Sequence, residues 1–205
     1  MPGHQVLGAV PIKPFAAAKQ RLGAVLSPDL RTSISKELAK RTLRSLRLAG
    51  AAPVVLAADD EVAQWGSDSG FEVILDQGSD LDTSAGEAVA EAGRRGMSWL
   101  IIHVDLPLLS PELLRPVVAE IARGGAVIAP SADGGNPLLG SDRALFPFAY
   151  GPGSFQRHLR LLADTDPLVI VDPGLAVDLD RPGDLTALRR KVPWLAEMTD
   201  TLPPS

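Results

Sequence analysis

Three aspartates stand at positions where apolar segments of the chain end. Asp105 follows the mostly apolar run 99–104 and precedes Leu106-Pro107, and Asp178 and Asp180 alternate with apolar residues near the carboxyl end. Because proline cannot extend a β-ladder, a strand over 99–104 is predicted to end at Asp105. Carboxylate oxygens suit Mg²⁺, which binds through a few carboxylates together with substrate phosphates. The three acids therefore predict a magnesium site.

A structural role could explain some of these aspartates. An aspartate at the end of a strand often caps a loop or the next helix, and on its own Asp105 fits either role equally well. Asp180 precedes Arg181-Pro182, where a helix is predicted to begin, and it can serve as the N-cap of that helix. Asp178 has no comparable structural role, and this favours the metal site.

A basic loop follows the first predicted strand, which covers residues 5–10. Lys13, Lys19 and Arg21 lie in this loop without any acidic residue, although the chain carries a formal net charge of −5 at pH 7. Such cations can bind the oxygens of a triphosphate, and an arginine can bind two of them at once. A solvated surface loop is the simpler alternative. The loop is neither a P-loop nor a dinucleotide-binding loop, because it lacks G-x-x-x-x-G-K and G-x-G-x-x-G.

Two glycine-containing segments lie in the last third of the chain. Residues 150–158 lead into a predicted helix, whose first backbone N–H groups could bind an anion. A plain turn before a helix explains that segment equally well. The other segment, residues 133–137, is rich in turn residues and would let the backbone approach a ligand closely. Together with the basic loop and the three acids, these segments favour a nucleotidyltransferase, in which metal ions neutralise the α-phosphate and the departing pyrophosphate.

Strands and helices alternate along most of the chain. The predicted strands cover residues 5–10, 53–58, 71–75, 99–104, 126–130 and 168–171. The helices between the first five strands are predicted to start after residues 27, 59 or 60, 84 and 110, which are all serines or aspartates suited to N-caps. This alternation predicts an α/β fold with a doubly wound, mostly parallel sheet and helices on both faces. In such a fold, ligands bind at the carboxyl ends of the strands.

Length and composition exclude several classes of protein. The 205 residues suit a single domain, predicted over residues 1–198 with a flexible tail at 199–205, and the absence of cysteine excludes disulfides and thiolate metal sites. The acidic charge balance argues against a general nucleic-acid binder. Since the apolar segment 6–10 is too short for a signal peptide and no apolar run approaches membrane-spanning length, we expect a cytoplasmic protein without a membrane partner. A homo-oligomer remains open.

Six short motifs, spread over nearly the whole chain, form a specific set. They are Pro11-Ile12-Lys13, Lys19-x-Arg21-Leu22, Asp105-Leu106-Pro107, Gly134-Gly135, Tyr150-Gly151-Pro152-Gly153-Ser154 with Arg157-His158, and Asp178-x-Asp180-x-Pro182-x-Asp184-Leu185. In this order the set resembles the 2-phospho-L-lactate guanylyltransferase family. That family also includes phosphoenolpyruvate guanylyltransferases, which supply the guanylylated phospho-acid for biosynthesis of the deazaflavin coenzyme F-420.

The resemblance implies a fold, a nucleotide and a metal. The expected fold is a single nucleotidyltransferase domain of Rossmann-like type, and the expected nucleotide is GTP. Mg²⁺ is expected on Asp105, Asp178 and Asp180. The residues expected to bind the nucleotide are Pro11, Lys13, Lys19 and Arg21, and those expected to act in catalysis are Lys13, Lys19, Arg21 and Asp105.

The resemblance also implies a site for the acceptor of the nucleotidyl group. Asn136, Gly151 and Ser154 fall where the family holds a small phosphorylated carboxylic acid. Two residues depart from the family pattern: Asn136 replaces the usual threonine, and Asp82 replaces the asparagine of a Leu-Asn pair. Asn136 can still donate hydrogen bonds.

The expected reaction joins the phosphate of phosphoenolpyruvate or 2-phospho-L-lactate to GMP from GTP and releases pyrophosphate. Two alternatives stay open. One is a related nucleotidyltransferase that acts on a sugar phosphate or a pterin cofactor, which the missing glycine-rich loop after the first strand disfavours. The other is a non-catalytic nucleotide-binding module, which the presence of all three acids disfavours.

Overall fold

The computed structural model describes residues 4–76 and 80–200, in which seven strands form one sheet. The order across the sheet is β3-β2-β1-β4-β6-β5-β7. The strands are β1 (Val6–Ile12), β2 (Ala52–Ala57), β3 (Glu72–Leu75), β4 (Ser98–Ile102), β5 (Val127–Ala129), β6 (Leu138–Ser141) and β7 (Leu168–Val169). All neighbouring pairs are parallel except those made by β6. The predicted α/β class with a mostly parallel sheet is confirmed.

The longer helices begin where the sequence offers an N-cap. The helices are α1 (Pro28–Leu48), α2 (Asp60–Asp68), α3 (Leu81–Arg94), α4 (Pro111–Ala122), α5 (Ser154–Leu161), α6 (Pro173–Ala176), α7 (Pro182–Arg189) and α8 (Pro193–Met198). The side chains of Ser27, Asp59, Asp80 and Ser110 accept hydrogen bonds from N–H groups in the first turns of α1 to α4. No helix within the described residues is both long and apolar enough to cross a membrane.

Helices cover both faces of the sheet. Alternate residues of β1 point to opposite sides, so that Val6 and Val10 join one buried cluster with residues of α1 and α4, while Leu7 and Ala9 join another with residues of α3. A strand buried on both faces needs a continuous apolar sequence, and β1 and β4 have one. The predicted covering of both faces is confirmed.

A third buried cluster attaches the carboxyl-terminal helices to the rest of the domain. Leu185 and Leu195, from α7 and α8, pack in it with residues of α1. The same cluster contains Leu22, from the basic loop, and Leu179, from the segment between α6 and α7. Because both segments carry predicted site residues, this cluster positions the basic loop and the acidic segment relative to each other.

Several predicted boundaries differ from the observed ones. Helix α3 starts one turn before the predicted cap at Ser84, because Asp80 provides the cap instead. Strand β1 continues through Pro11, which the structure tolerates because the pairing of β1 with β4 covers only Val6 to Ala9. Strand β6 and the short helices α6 and α8 were not predicted.

The predicted tail starts at a residue that the structure buries. Thr199 is fully buried, and its hydroxyl donates a hydrogen bond of 2.6 Å to the carbonyl of Leu195. The packed part of the domain therefore extends at least to Thr199. The rest of the predicted tail, residues 201–205, and part of the predicted polar loop, residues 77–79, lie outside the described residues.

Candidate active site

Two adjoining cavities lie beside the loops that follow β1 and β4. The first has a volume of about 390 Å³ and is lined by residues of the basic loop. The second has a volume of about 330 Å³ and is lined by residues of the two glycine-containing segments. Leu81, His103 and Asp105 line both cavities. A ligand in either cavity would therefore approach Asp105, at the carboxyl end of a central strand.

The basic loop is anchored and only partly exposed. It forms two 3₁₀ turns, and its side chains Phe15 and Leu22 are fully buried. Lys19, between the turns, has a left-handed backbone with φ of 53°, which is uncommon for a residue other than glycine. Its side chain is only 8% exposed, and its Nζ lies 3.5 Å from Oδ2 of Asp105. The loop thus turns one of its cations inward, unlike a solvated surface loop.

All predicted nucleotide-binding residues line the first cavity. Pro11, Lys13, Lys19 and Arg21 do so together with Asp105 and Asp180. Lys13 is exposed, and the mostly exposed guanidinium of Arg21 forms an ion pair with Asp180. Three cations therefore line this cavity, and two of them are paired with carboxylates.

The three predicted metal ligands come from two segments that a backbone hydrogen bond joins. The N–H of Leu179 donates to the carbonyl of Asp105 over 3.0 Å, so that Asp178 and Asp180 flank the contact. Asp105 lines both cavities, whereas Asp178 lines the second and Asp180 the first. The acids thus lie along the border between the cavities.

The electrostatics of these acids show that they interact. Partial burial and the charges of Asp105 and Asp180 raise the pKa of Asp178 above its ordinary value. Burial alone would raise the pKa of Asp105 as well, but the charge of Lys19 and local hydrogen bonds outweigh it and lower that pKa. Asp178 therefore bears the like-charge repulsion, which a bound cation would relieve.

The acids do not form a preassembled metal cluster. Among residues 4–76 and 80–200, no three acidic or histidine side chains are close enough together to hold a metal ion. Asp105 and Asp180 pair instead with Lys19 and Arg21. The carboxylate oxygens of the three acids are hard donors, and together with the repulsion at Asp178 they still fit a divalent cation. The residues that would hold it are Asp105, Asp178 and Asp180.

The predicted acceptor residues line the second cavity. Asn136, Gly151 and Ser154 all do so, and Gly151 has a φ of 102° that favours glycine. The N–H of Ser154 donates to the carbonyl of Gly151 over 3.0 Å. Residues 151–154 therefore form a closed turn, which is the plain turn before a helix that the sequence analysis left open. The same turn is part of the wall of the second cavity.

Arg157 stabilises residues 149–153, which we call the glycine loop, through hydrogen bonds to the backbone of that loop. Its guanidinium donates hydrogen bonds to the carbonyls of Ala149, at 2.8 and 3.1 Å, and of Pro152, at 2.6 Å. These donors are directed at the backbone of the loop, which they hold in a tight curve. Arg157 therefore supports a loop whose residues Tyr150 and Gly151 line the second cavity.

The departure at Asp82 has a structural role. Its Oδ1 accepts a hydrogen bond of 2.7 Å from the N–H of Tyr150, which ties the start of α3 to the glycine loop. An asparagine oxygen could accept the same bond, so either residue can make this contact.

His103 was not among the predicted site residues. The run 99–104 suggested that it points into the core, and its Nε2 is indeed buried, but its side chain lines both cavities. That atom has no hydrogen-bond partner within the described residues. The signal in the sequence is its position as the one polar residue of that run, two residues before Asp105.

Several solved structures share this fold, and one of them is described as a nucleotidyl transferase. A protein from Desulfovibrio desulfuricans G20, classed with nucleotide-diphospho-sugar transferases, matches with a TM-score of 0.81 at 19% identity, over 96% of this chain and 95% of its own. A nucleotidyl transferase from Methanothermobacter thermautotroptrophicus matches with a TM-score of 0.63 at 19% identity, over 95% and 99%. A protein from Mycobacterium tuberculosis H37Rv, in complex with manganese, matches with a TM-score of 0.55 at 19% identity, over 92% and 98%. These likenesses establish the α/β fold of the domain.

The sequence identifies the class of the protein as nucleotidyltransferase and also its family within that class. Residues 6–188 match the family described as Guanylyl transferase CofC like, and the chain belongs to that family. A phosphoenolpyruvate guanylyltransferase from Rubrobacter xylanophilus is 35% identical over 191 residues, which are 89% of this chain and 93% of the relative. A 2-phospho-L-lactate guanylyltransferase from Halorubrum lacusprofundi is 29% identical over 182 residues, 86% and 82% of the two chains. The resemblance seen in the six motifs is confirmed.

Proposed function

We propose that the protein transfers GMP from GTP to the phosphate of a small phosphorylated carboxylic acid, phosphoenolpyruvate or 2-phospho-L-lactate, and releases pyrophosphate. The observation that carries this proposal is the pair of cavities that meet at Asp105, one lined by cations and the other by the acceptor residues. Relatives named for guanylyl transfer to these two acids support it. The product would serve the biosynthesis of the deazaflavin coenzyme F-420.

In this proposal the first cavity binds the nucleotide. Lys13, Lys19 and Arg21 would bind triphosphate oxygens, because guanidinium and ammonium groups form strong charge-assisted hydrogen bonds to phosphate. The ion pairs of Lys19 and Arg21 with carboxylates hold these cations at the cavity before the nucleotide arrives. The same cations would then stabilise the charge that develops on the departing pyrophosphate.

The second cavity would bind the acceptor. Its phosphate is already ionised at neutral pH, so the reaction needs no general base. Catalysis would come from holding the acceptor oxygen in line with the α-phosphate, beside the Asp105 border of the two cavities. His103 lines both cavities, and in this proposal it would lie near the point where the two substrates meet.

We assign Asp105, Asp178 and Asp180 as the ligands of Mg²⁺. A structural relative that contains manganese and the repulsion among these acids support a divalent cation. When bound, the metal would neutralise phosphate charge during transfer. The chain contributes the carboxylates and the hydrogen bond from Leu179 to Asp105 that holds their two segments together.

A pyrophosphate-release assay tests the proposal. It pairs each of the four common ribonucleoside triphosphates with phosphoenolpyruvate, 2-phospho-L-lactate, 3-phosphoglycerate or glucose 1-phosphate, with and without Mg²⁺. We expect release only when Mg²⁺ and GTP are present together with phosphoenolpyruvate or 2-phospho-L-lactate. Mass spectrometry should then identify the guanylylated acid. If glucose 1-phosphate supports release and none of the acids does, a nucleotidyltransferase for sugar phosphates would be favoured. Nucleotide binding without any turnover would favour a non-catalytic module.

A further inference from the structure

A buried histidine lies directly behind the second cavity. His158, on α5, has no exposed surface, and both of its ring nitrogens face a hydrogen-bonding group. The Nε2 atom lies 2.7 Å from the backbone nitrogen of Ala149, and the Nδ1 atom lies 2.8 Å from Oδ1 of Asn136. His158 thus connects the backbone of the glycine loop to a residue of the cavity wall.

These two contacts determine where the proton of His158 resides. A backbone N–H can only donate, so Nε2 must accept and carries no proton. The proton of the neutral ring is therefore on Nδ1, which donates to Oδ1 of Asn136. Burial lowers the pKa of His158 to about 4, so the ring is neutral at physiological pH, as this arrangement requires.

The orientation of Asn136 follows from that proton. Because Nδ1–H donates, the amide of Asn136 must direct its oxygen toward His158 and its NH₂ group away from it. Asn136 is 1% exposed and lines the second cavity. Its Nδ2 makes no hydrogen bond of regular geometry in the described part of the chain, and the group that interacts with the Asn136 side chain there is the hydroxyl of Tyr150. An amide nitrogen has two N–H donors, so the contact with Tyr150 leaves at least one of them available to a ligand in the cavity.

We infer that His158 is a positioning residue that orients the amide of Asn136, so that the acceptor cavity offers N–H donors to an anion. The inference rests on the proposed function in that it assigns the anion, a carboxylate or phosphate of the acid, to this cavity. The opposite orientation of the amide would place the carbonyl oxygen near the anion and repel it. A threonine hydroxyl at this position could rotate to donate and would need no such partner.

Two substitutions of similar size separate the two contacts of His158. His158→Asn places an amide nitrogen near the Nδ1 position, so it keeps the donor to Asn136 and loses the acceptor for Ala149. His158→Gln places an amide oxygen near the Nε2 position, so it keeps that acceptor and loses the donor. Each variant loses one buried hydrogen bond, and we expect both to lower the melting temperature.

The kinetic effects should differ between the two variants. With phosphoenolpyruvate or 2-phospho-L-lactate at saturating GTP, we expect His158→Gln to raise KM for the acid about tenfold, the effect of one lost hydrogen bond to a charged group. The KM for GTP should change by less than about twofold on the same reasoning. We expect His158→Asn to raise KM for the acid much less. Equal increases in the two variants, or equal effects on acid and GTP, would show a structural role only.

The partner residue provides a further control. In the background Asn136→Thr, the donor no longer depends on His158, so adding His158→Gln should raise KM for the acid by much less than it does in the wild-type background. Additive effects would show that His158 does not act through Asn136.

A measurement without substrate distinguishes failure of this inference from failure of the proposed function. Long-range ¹H–¹⁵N correlation spectra report which nitrogen of a neutral histidine bears the proton. We expect Nδ1 for His158 at pH 7, and a proton on Nε2 would overturn the inference even if guanylyl transfer is observed. If no acid is turned over but the Nδ1 proton is found, the proposed function is wrong and the orientation of Asn136 is retained.

Discussion

At the scale of single residues, two cations of the candidate site are held in position by ion pairs with carboxylates. Lys19 is almost buried, and its ammonium group is balanced by Asp105, while the more exposed Arg21 is balanced by Asp180. Such pairs contribute little to stability when they are exposed. In the proposed function, the two pairs keep the cations oriented toward a cavity where phosphates of the substrate would replace the carboxylates.

Replacing Arg21 should therefore weaken nucleotide binding. We expect Arg21→Ala to raise the dissociation constant of GTP by about tenfold or more, because a charge-assisted hydrogen bond to phosphate is lost, and to change KM for the acid little. Isothermal titration calorimetry measures the first quantity. Arg123→Ala is a matched control, since Arg123 is equally exposed and paired with Glu120 on the surface, outside the residues that line either cavity. If both variants bind GTP alike, the basic loop does not contact the nucleotide.

His158 should make stability depend on pH. Burial lowers its pKa to about 4 in the folded protein, whereas a histidine in an unfolded chain has a pKa of about 6.5. Between these values only the unfolded state binds the proton, so the free energy of unfolding should fall as pH is lowered from about 6.5 to 4. The variant His158→Asn lacks this titration, and its deficit in melting temperature relative to the wild type should shrink across that range. A constant deficit from pH 7 to 4 would contradict the neutral buried ring.

At the scale of secondary-structure elements, the sequence predicts those whose side chains are buried on both faces or whose first turn has one clear cap. Strand β4 and helix α4 meet these conditions and were predicted within about two residues. Strand β6 was not predicted. Its four residues directly follow Pro137, and their sequence gives no sign of the antiparallel pairing with β4 and β5. The start of α3 was misplaced because Asp80 and Ser84 are both suitable caps, and only the folded chain chooses between them.

The candidate site, like the secondary structure, was predictable from the sequence only in part. Acids and cations at strand ends can be identified from residue type and position alone, and the structure places them around two joined cavities. The inward direction of Lys19 depends on its left-handed backbone, and the contact of His158 with Asn136 joins residues 22 positions apart. Neither follows from local sequence, because each depends on packing between segments.

The cluster that holds the acidic segment should link stability to metal use. Leu179 is fully buried between Asp178 and Asp180. We expect Leu179→Ala to cost about 2–5 kcal/mol of stability and also to raise the Mg²⁺ concentration for half-maximal turnover, because the two aspartates lose their anchor. Leu43→Ala, at a fully buried position of α1 in the first cluster, is the control. It should cost a similar free energy of unfolding, measured in urea, without changing the Mg²⁺ requirement. Equal Mg²⁺ requirements in both variants would contradict this role of Leu179.

At the scale of the whole molecule, the sheet brings distant parts of an acidic chain to one border. Asp105 follows a central strand, whereas Asp178 and Asp180 reach it from the carboxyl-terminal third through the hydrogen bond of Leu179. Burial and, after it, the charges of the neighbouring carboxylates raise the pKa of Asp178, so keeping this group ionised at the border opposes folding. A site that is unfavourable for the empty protein and favourable for the loaded one is a common exchange of stability for function.

Replacing Asp178 should separate stability from function. Asp178→Asn preserves shape but removes one of the repelling charges, so we expect the melting temperature without metal to rise slightly at pH 7. Turnover should fall on the order of 10²-fold or more, because the charge that would hold the metal near the phosphates is lost. Differential scanning calorimetry with and without Mg²⁺ should show a metal-dependent increase in the melting temperature of the wild type that is reduced in the variant. Asp142→Asn, on a surface loop outside both cavities, controls for the change in net charge. Wild-type turnover of Asp178→Asn at limiting Mg²⁺ would exclude Asp178 as a ligand.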